Sequence, residues 1–342
     1  SGCDYLDIVP DNLPTLEMAF NNKSSAERFL FTCYSFVPEH GKIGTDPGMD
    51  VGDEVWYYSD NSADYSNKTT FWIAKGMQNS NEPLVDYWNG TQWGKAMFVG
   101  IRDCNVFIEN IEKVPDLSAY DKETWKAEAK VLKAFYHFWM MRMYGPIPII
   151  KENIPVSAGE DEVRVVRDKI DDIVTYIVSL IDESVEYLPL NIQNEAAEMG
   201  RITRPAAKAI KAKILAFAAS PFFNGNLDYA NFKNAEGEPF FNQVYDNEKW
   251  TKAADACLEA IQCAEEAGHG LYEFVNMSST QLSDETILSL SNRCKVTERW
   301  NKELVWGCGQ SGIRDLQVLC QPWLESNYSS DDRYHNARNG RI

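Results

Sequence analysis

Residues 123–144 constrain this chain of 342 residues more than any other stretch. Val131, Leu132, Phe135, Tyr136, Phe138, Trp139, Met140, Met141 and Met143 leave almost no polar face, and Gly145-Pro146 stops the pattern. A helix that is apolar on most sides must be covered on most sides, so this segment predicts the central helix of a domain, with other helices around it. Those neighbours are legible too. Apolar residues recur at helical spacing in Phe29, Leu30, Cys33 and Phe36, after a polar run at 21–25 that can cap a helix, and again in Met97, Ile101, Cys104 and Ile108, closing near Pro115. Further patterns are Ile170, Ile173, Val174, Ile177, Leu180, Ile181 and Val185; Pro205 through Ile210, Ile214 and Phe217 to Ser220-Pro221; and Trp250, Ala254, Cys257, Leu258 and Ile261. Beyond residue 278 the chain is polar, and its short apolar runs at 286–290 and 304–306 read as short strands or loops. The succession predicts a mostly α fold of stacked helix pairs with few short strands, although no period repeats cleanly in the residues. No Pro/Ser-rich linker divides the chain, so a single domain over 1–342 is expected.

Composition removes several functions. With 51 acidic against 33 basic residues the net charge is −18, which repels a polyanion and argues against nucleic acid as partner. No stretch reaches the roughly 18 to 20 apolar residues of a membrane-spanning helix. The eight cysteines form no Cys-x-x-Cys pair and no cluster with histidine, so no structural metal is expected, and Cys33, Cys104 and Cys257, inside helical patterns, read as buried free thiols. The start, Ser1-Gly2-Cys3-Asp4, has the small residues before cysteine that remain of a bacterial lipoprotein signal, which makes Cys3 a lipidation candidate.

Catalytic motifs are missing: there is no phosphate-binding Gly-x-x-x-x-Gly-Lys-Ser/Thr, no His-Glu-x-x-His and no Gly-x-Ser-x-Gly. The Gly-x-Gly-x-x-Gly at 307–312 lies in no strand-helix alternation and reads as a loop. His40, His137, His269 and His335 are far apart, and His137, in the most apolar helix, reads as a satisfied core residue rather than a general base. Acidic residues such as Asp168, Asp171, Asp172 and Glu183 read as solvated helix faces rather than a glycosidase pair. The run Asp60-x-Ser62-x-Asp64 has Tyr65 where a calcium loop needs glycine, and no later glutamate in register. A protein without catalysis, metal or cofactor is expected.

Between residues 38 and 89 helical periodicity fades while large aromatics persist. Trp56-Tyr57-Tyr58, Phe71-Trp72 and Tyr87-Trp88-Asn89 stand among Asp53, Glu54, Asn61, Gln78, Asn79 and Asn81. A sugar offers an apolar face of C–H groups and an edge of hydroxyls, which a flat ring beside amides or carboxylates matches. Trp56, Tyr58, Trp72, Asn79, Trp88 and Asn89 are therefore the candidate ligand residues; the competing use of such rings is to plug a loop onto the core.

Two segments carry a resemblance. Residues 127–139, Ala-Glu-Ala-Lys-Val-Leu-Lys-Ala-Phe-Tyr-His-Phe-Trp, continuing through Met143-Tyr144-Gly145-Pro146-Ile147-Pro148, look like the hallmark helix and exit turn of the SusD/RagB family. Residues 200–213, opening Gly200-Arg201-Ile202-Thr203-Arg204-Pro205, resemble its second helix signature, and Cys3-Asp4-Tyr5-Leu6-Asp7 and the segment 101–109 fit in order. The resemblance covers about residues 3–215. It implies a right-handed bundle of tetratricopeptide-like helix pairs with long irregular loops, a lipid on Cys3 at the end of a tail formed by residues 1–15, and a place on the cell surface at the outer membrane. It further implies capture of an oligo- or polysaccharide for a SusC-like TonB-dependent transporter, with peptide import in the manner of RagB as the alternative. Family members are usually longer, so a C-terminal part that helps to build the ligand site is expected to be missing from this sequence.

Overall fold

The structure, a computed structural model, describes residues 16–39, 46–52, 72–92, 94–155 and 157–308. Seven helices of more than two turns lie in that range: α1 (Lys23–Tyr34), α2 (Met97–Asn110), α3 (Ala119–Tyr144), α4 (Ile170–Asp182), α5 (Arg204–Ala219), α6 (Glu248–Glu266) and α7 (Asp284–Thr297). Among the described residues no strand forms; the nearest approach is two isolated bridges, Asn224 to Asn242 and Lys233 to Pro239. The mostly α expectation is met. The described residues fall into two compact units, one within 1–35 and 99–306, the other within 36–98 and 307–342.

In the first unit α3, α4, α5 and α6 each pack against the next, which is the tandem pairing of a tetratricopeptide-like fold. Helix ends follow the local chemistry. Ser118 caps α3 by accepting the Asp121 N–H at 3.0 Å, and Asn22 caps α1 through the Ser25 N–H at 2.9 Å. Thr203 caps α5 with Pro205 in the first turn, where the missing N–H costs nothing. Helix α3 ends at Gly145, whose φ of 68° suits only glycine, and a Cβ there would stand 3.3 Å from the Phe241 ring.

Helix α3 is the central helix: residues 131–141 are buried without interruption. Two of them are polar and both are satisfied. Lys133 Nζ donates to the Lys151 carbonyl at 2.6 Å, and burial pushes its pKa down to about 8. His137 makes two bonds, Nδ1 to the Lys133 carbonyl at 2.8 Å and Nε2, which accepts the Ile150 N–H at 3.2 Å. That pattern fixes the neutral ring with its proton on Nδ1, so His137 is the satisfied core histidine expected.

The two sequence signatures meet in one buried ion pair. Arg201 embraces Glu128 of α3, with Nη2 to Oε1 at 2.6 Å and Nε to Oε2 at 3.1 Å, while Tyr34 of α1 donates to Glu128 at 2.5 Å and accepts the Ile202 N–H at 2.8 Å. Burial alone would lower the Arg201 pKa, but the Glu128 charge outweighs it and keeps the guanidinium ionised. Three distant segments are thereby registered on one another.

Several expectations are corrected. The run 286–290 is helical, within α7: Ser283 accepts the Thr286 N–H at 3.2 Å, and Asp284 and Glu285 suit the first turn. Cys257 is exposed, not a buried thiol, because α6 turns Ala253, Ala256, Ala260 and Cys263 inward instead; Cys33 and Cys104 are buried and free as expected. Asp168 is no solvated helix residue, since its carboxylate accepts the Ile149 N–H at 2.7 Å. Asp171 and Glu183 do lie at the surface, and there they pair with Lys249 at 2.5 Å and Lys130 at 2.8 Å.

Candidate functional site

Of the six candidate ligand residues, Trp72, Asn79, Trp88 and Asn89 are described, all in the second unit. Trp56 and Tyr58 lie outside the described residues, as do Cys3, the tail 1–15, the run Asp60-x-Ser62-x-Asp64 and residues 309–312 of the glycine motif.

The local fold of residues 84–98 is built around Asp86. Its Oδ1 accepts the N–H groups of Trp88 at 2.9 Å and Asn89 at 3.0 Å; its Oδ2 accepts Asn89 Nδ2 at 3.0 Å and Thr91 Oγ1 at 2.9 Å. An aspartate two residues ahead of an exposed turn is well suited to this, because its short side chain reaches the next N–H groups. Burial would raise the Asp86 carboxyl, yet these bonds outweigh it and hold the pKa below the usual value. Two glycines make the knot possible. At Gly94 a Cβ would fall 1.9 Å from the Asp86 carbonyl oxygen, and Gly90, at φ 79°, would press one onto Ala96 at 2.6 Å. The Met97 N–H closes the loop on the Tyr87 carbonyl at 3.1 Å.

Alternate sides of the loop then have different fates. Tyr87 is buried, whereas Trp88 is half-buried with its ring 4.9 Å from Phe98 at an interplanar angle of 73°. Edge-to-face contact of this kind fixes an aromatic plane without covering all of it. Asn89 is exposed beside it; its amide nitrogen is engaged by Asp86, and among the described residues its Oδ1 makes no hydrogen bond.

Asn79 serves its own turn: Oδ1 accepts the N–H groups of Asn81 at 3.0 Å and Glu82 at 2.8 Å. Gln78 fastens that turn to the Asp86 loop, donating to the Val85 carbonyl at 2.8 Å and accepting the Leu84 N–H at 2.7 Å. Trp72 is half-buried, with Lys75 Nζ 5.0 Å over its ring, a cation–π contact. The structure thus joins Asn79, Trp88 and Asn89 through Gln78 and Asp86, and gives Trp72 a cationic neighbour. Sequence reasoning missed Asp86, Lys75 and Phe98. The signal for Asp86 was its position two and three residues ahead of Trp88-Asn89, the spacing of an Asx turn.

Chemically, the surface offers aromatic faces, amides and one ammonium group. Among the described residues no cluster of three His, Cys, Asp or Glu side chains is placed to hold a metal ion, and no helix is long and apolar enough to cross a membrane.

Comparison with known proteins adds identity to geometry. Residues 4–215 match the SusD-like family profile described as starch-binding, associating with outer membrane. A SusD-like protein of Bacteroides ovatus is 31% identical over 99 residues, 29% of this chain and 16% of that protein. Among solved structures, BT4246 superposes with a TM-score of 0.69 at 28% identity, covering 88% of this chain and 52% of its own. A laminarin-binding SusD-like protein does so with a TM-score of 0.53 at 18% identity, covering 84% and 51%. The chain therefore spans about half the length of these solved relatives, and 16% of the curated one.

Proposed function

The chain belongs to the SusD-like family, and from that premise we propose that it is a surface glycan-binding module rather than an enzyme. The observation that carries the reading is the Asp86 knot. Four hydrogen bonds and two tight glycine contacts hold the backbone of Trp88 and Asn89, so an aromatic plane and an exposed amide are presented side by side at no ordering cost on binding. Such a pair suits a pyranose ring, which stacks through its C–H face and bonds through its hydroxyls. The family description as starch-binding and the laminarin-binding relative support a glucan or similar oligosaccharide as the ligand. Trp72 and Lys75 extend the same surface, with Trp56 and Tyr58 proposed as further stacking residues and Asn79 as a support of the turn.

The protein would act at the outer membrane, held there by a lipid on Cys3, and would pass its ligand to a SusC-like transporter. Weak binding per site is adequate there, since neighbouring copies raise the effective concentration. The test is retention of the purified protein, with Cys3→Ser to keep it in solution, in native gels cast with separate polysaccharides, beside peptides measured by calorimetry. Retardation by one glycan class supports the reading. Binding of peptides with no glycan retained would replace it with the peptide-import alternative.

A further inference from the structure

Helix α6 carries two apolar stripes about a third of a turn apart. One, Ala253, Ala256, Ala260 and Cys263, is buried, with Ala256 and Ala260 packed on Ala212 and Leu215 of α5. The other, Trp250, Ala254, Cys257, Leu258 and Ile261, recurs at helical spacing yet faces solvent: Trp250 is 42%, Leu258 54% and Ile261 55% exposed. Polar residues keep to the remaining side. A surface helix has one apolar stripe, whereas a helix with two is sandwiched between two neighbours. In a stack of helix pairs the terminal helix must turn a polar face outward to stay soluble, and α6 does not. The helix that follows, α7, buries no residue.

We propose that the 250–261 face of α6 is an interior surface, the seat of a further helix contributed by the remainder of a SusD-like chain, encoded beyond residue 342. Two observations select this occupant. BT4246 matches 88% of this chain with only 52% of its own length, so a SusD-like fold holds about as much polypeptide again. A second copy of this chain is disfavoured because each carries a net charge of −18, and docking two identical faces would bring like charges together. The inference does not depend on the glycan reading, and either can fail alone.

Cys257, exposed within the stripe, is a built-in reporter. The experiment compares residues 1–342 with the protein expressed from its complete reading frame, following maleimide alkylation of Cys257 by peptide mass mapping. In residues 1–342 Cys257 should react as an open thiol; in the longer protein its reaction should slow by at least about tenfold, because labelling then awaits local opening. Leu258→Asp with Ile261→Asp should restore labelling and lower Tm in the longer protein while leaving the Tm of residues 1–342 unchanged. A reading frame that closes at codon 342, or equal labelling of both proteins, overturns the proposal. So does slow labelling within residues 1–342, where sedimentation would separate a second copy from cover by residues 309–342.

Discussion

His137 shows how one residue records the environment of the core. Burial disfavours the imidazolium and pushes its pKa down to about 4, against roughly 6.5 in an unfolded chain. Between those values the unfolded chain binds the extra proton, so stability is complete above about pH 6.5 and is lost as the pH falls toward 4, by up to about 3 kcal/mol. Urea midpoints measured from pH 7 to 4.5 should fall accordingly, and His137→Phe should flatten that slope; an unchanged slope would assign it to other groups. Glu128 makes a second prediction at this scale. Replacing it by alanine leaves Arg201 buried with only the side contact to Glu198 at 3.0 Å, at a cost of about 3 kcal/mol. Glu160→Ala, which breaks an exposed pair with Arg164, should cost under about 1 kcal/mol by the same denaturation assay. Neither the Glu128–Arg201 pair nor the Asp86 knot was legible in sequence. Partners 73 residues apart are joined by the fold, and a short aspartate loop has no period to detect.

At the scale of elements, what could be read from the sequence depended on what each helix buries. Helix α3 was plain because residues 131–141 are all covered and the residues are almost all apolar. Helix α7 was missed because it buries nothing, so its residues carry no stripe, and only Ser283 with Asp284 and Glu285 marks its start. Helix α6 was found through the wrong face: the large residues that made its period visible are the exposed ones, while the covered face is mostly alanine. Gly145 tests the exit turn shared by α3 and the following Pro146. With φ at 68° and Phe241 at 3.3 Å from a Cβ, Gly145→Ala should cost about 1 to 3 kcal/mol, read as a lowered Tm. An unchanged Tm would mean that the turn relaxes freely.

For the whole molecule, tandem packing of α3 to α6 joins the helical patterns, and the family signatures prove to be scaffold: the Gly145-Pro146 exit turn and the Glu128–Arg201 pair hold helices, not ligand. Family membership therefore speaks for fold directly and for ligand only through description, which is why the aromatic surface of residues 72–92 bears the functional claim. Sequence picked out Trp72, Trp88 and Asn89 by composition alone. It did not reveal that Asn79 spends its carbonyl oxygen on its own turn, because hydrogen-bond satisfaction is a property of backbone geometry. The most direct measurement is the affinity of the purified protein, and of Trp88→Ala, for the glycan that retards it in native gels, by isothermal calorimetry at matched Tm. Loss of the stack should weaken binding about tenfold, some 1.4 kcal/mol, with the fold intact. Equal affinity in the two proteins would contradict the account and return Trp88 to a packing role against Phe98.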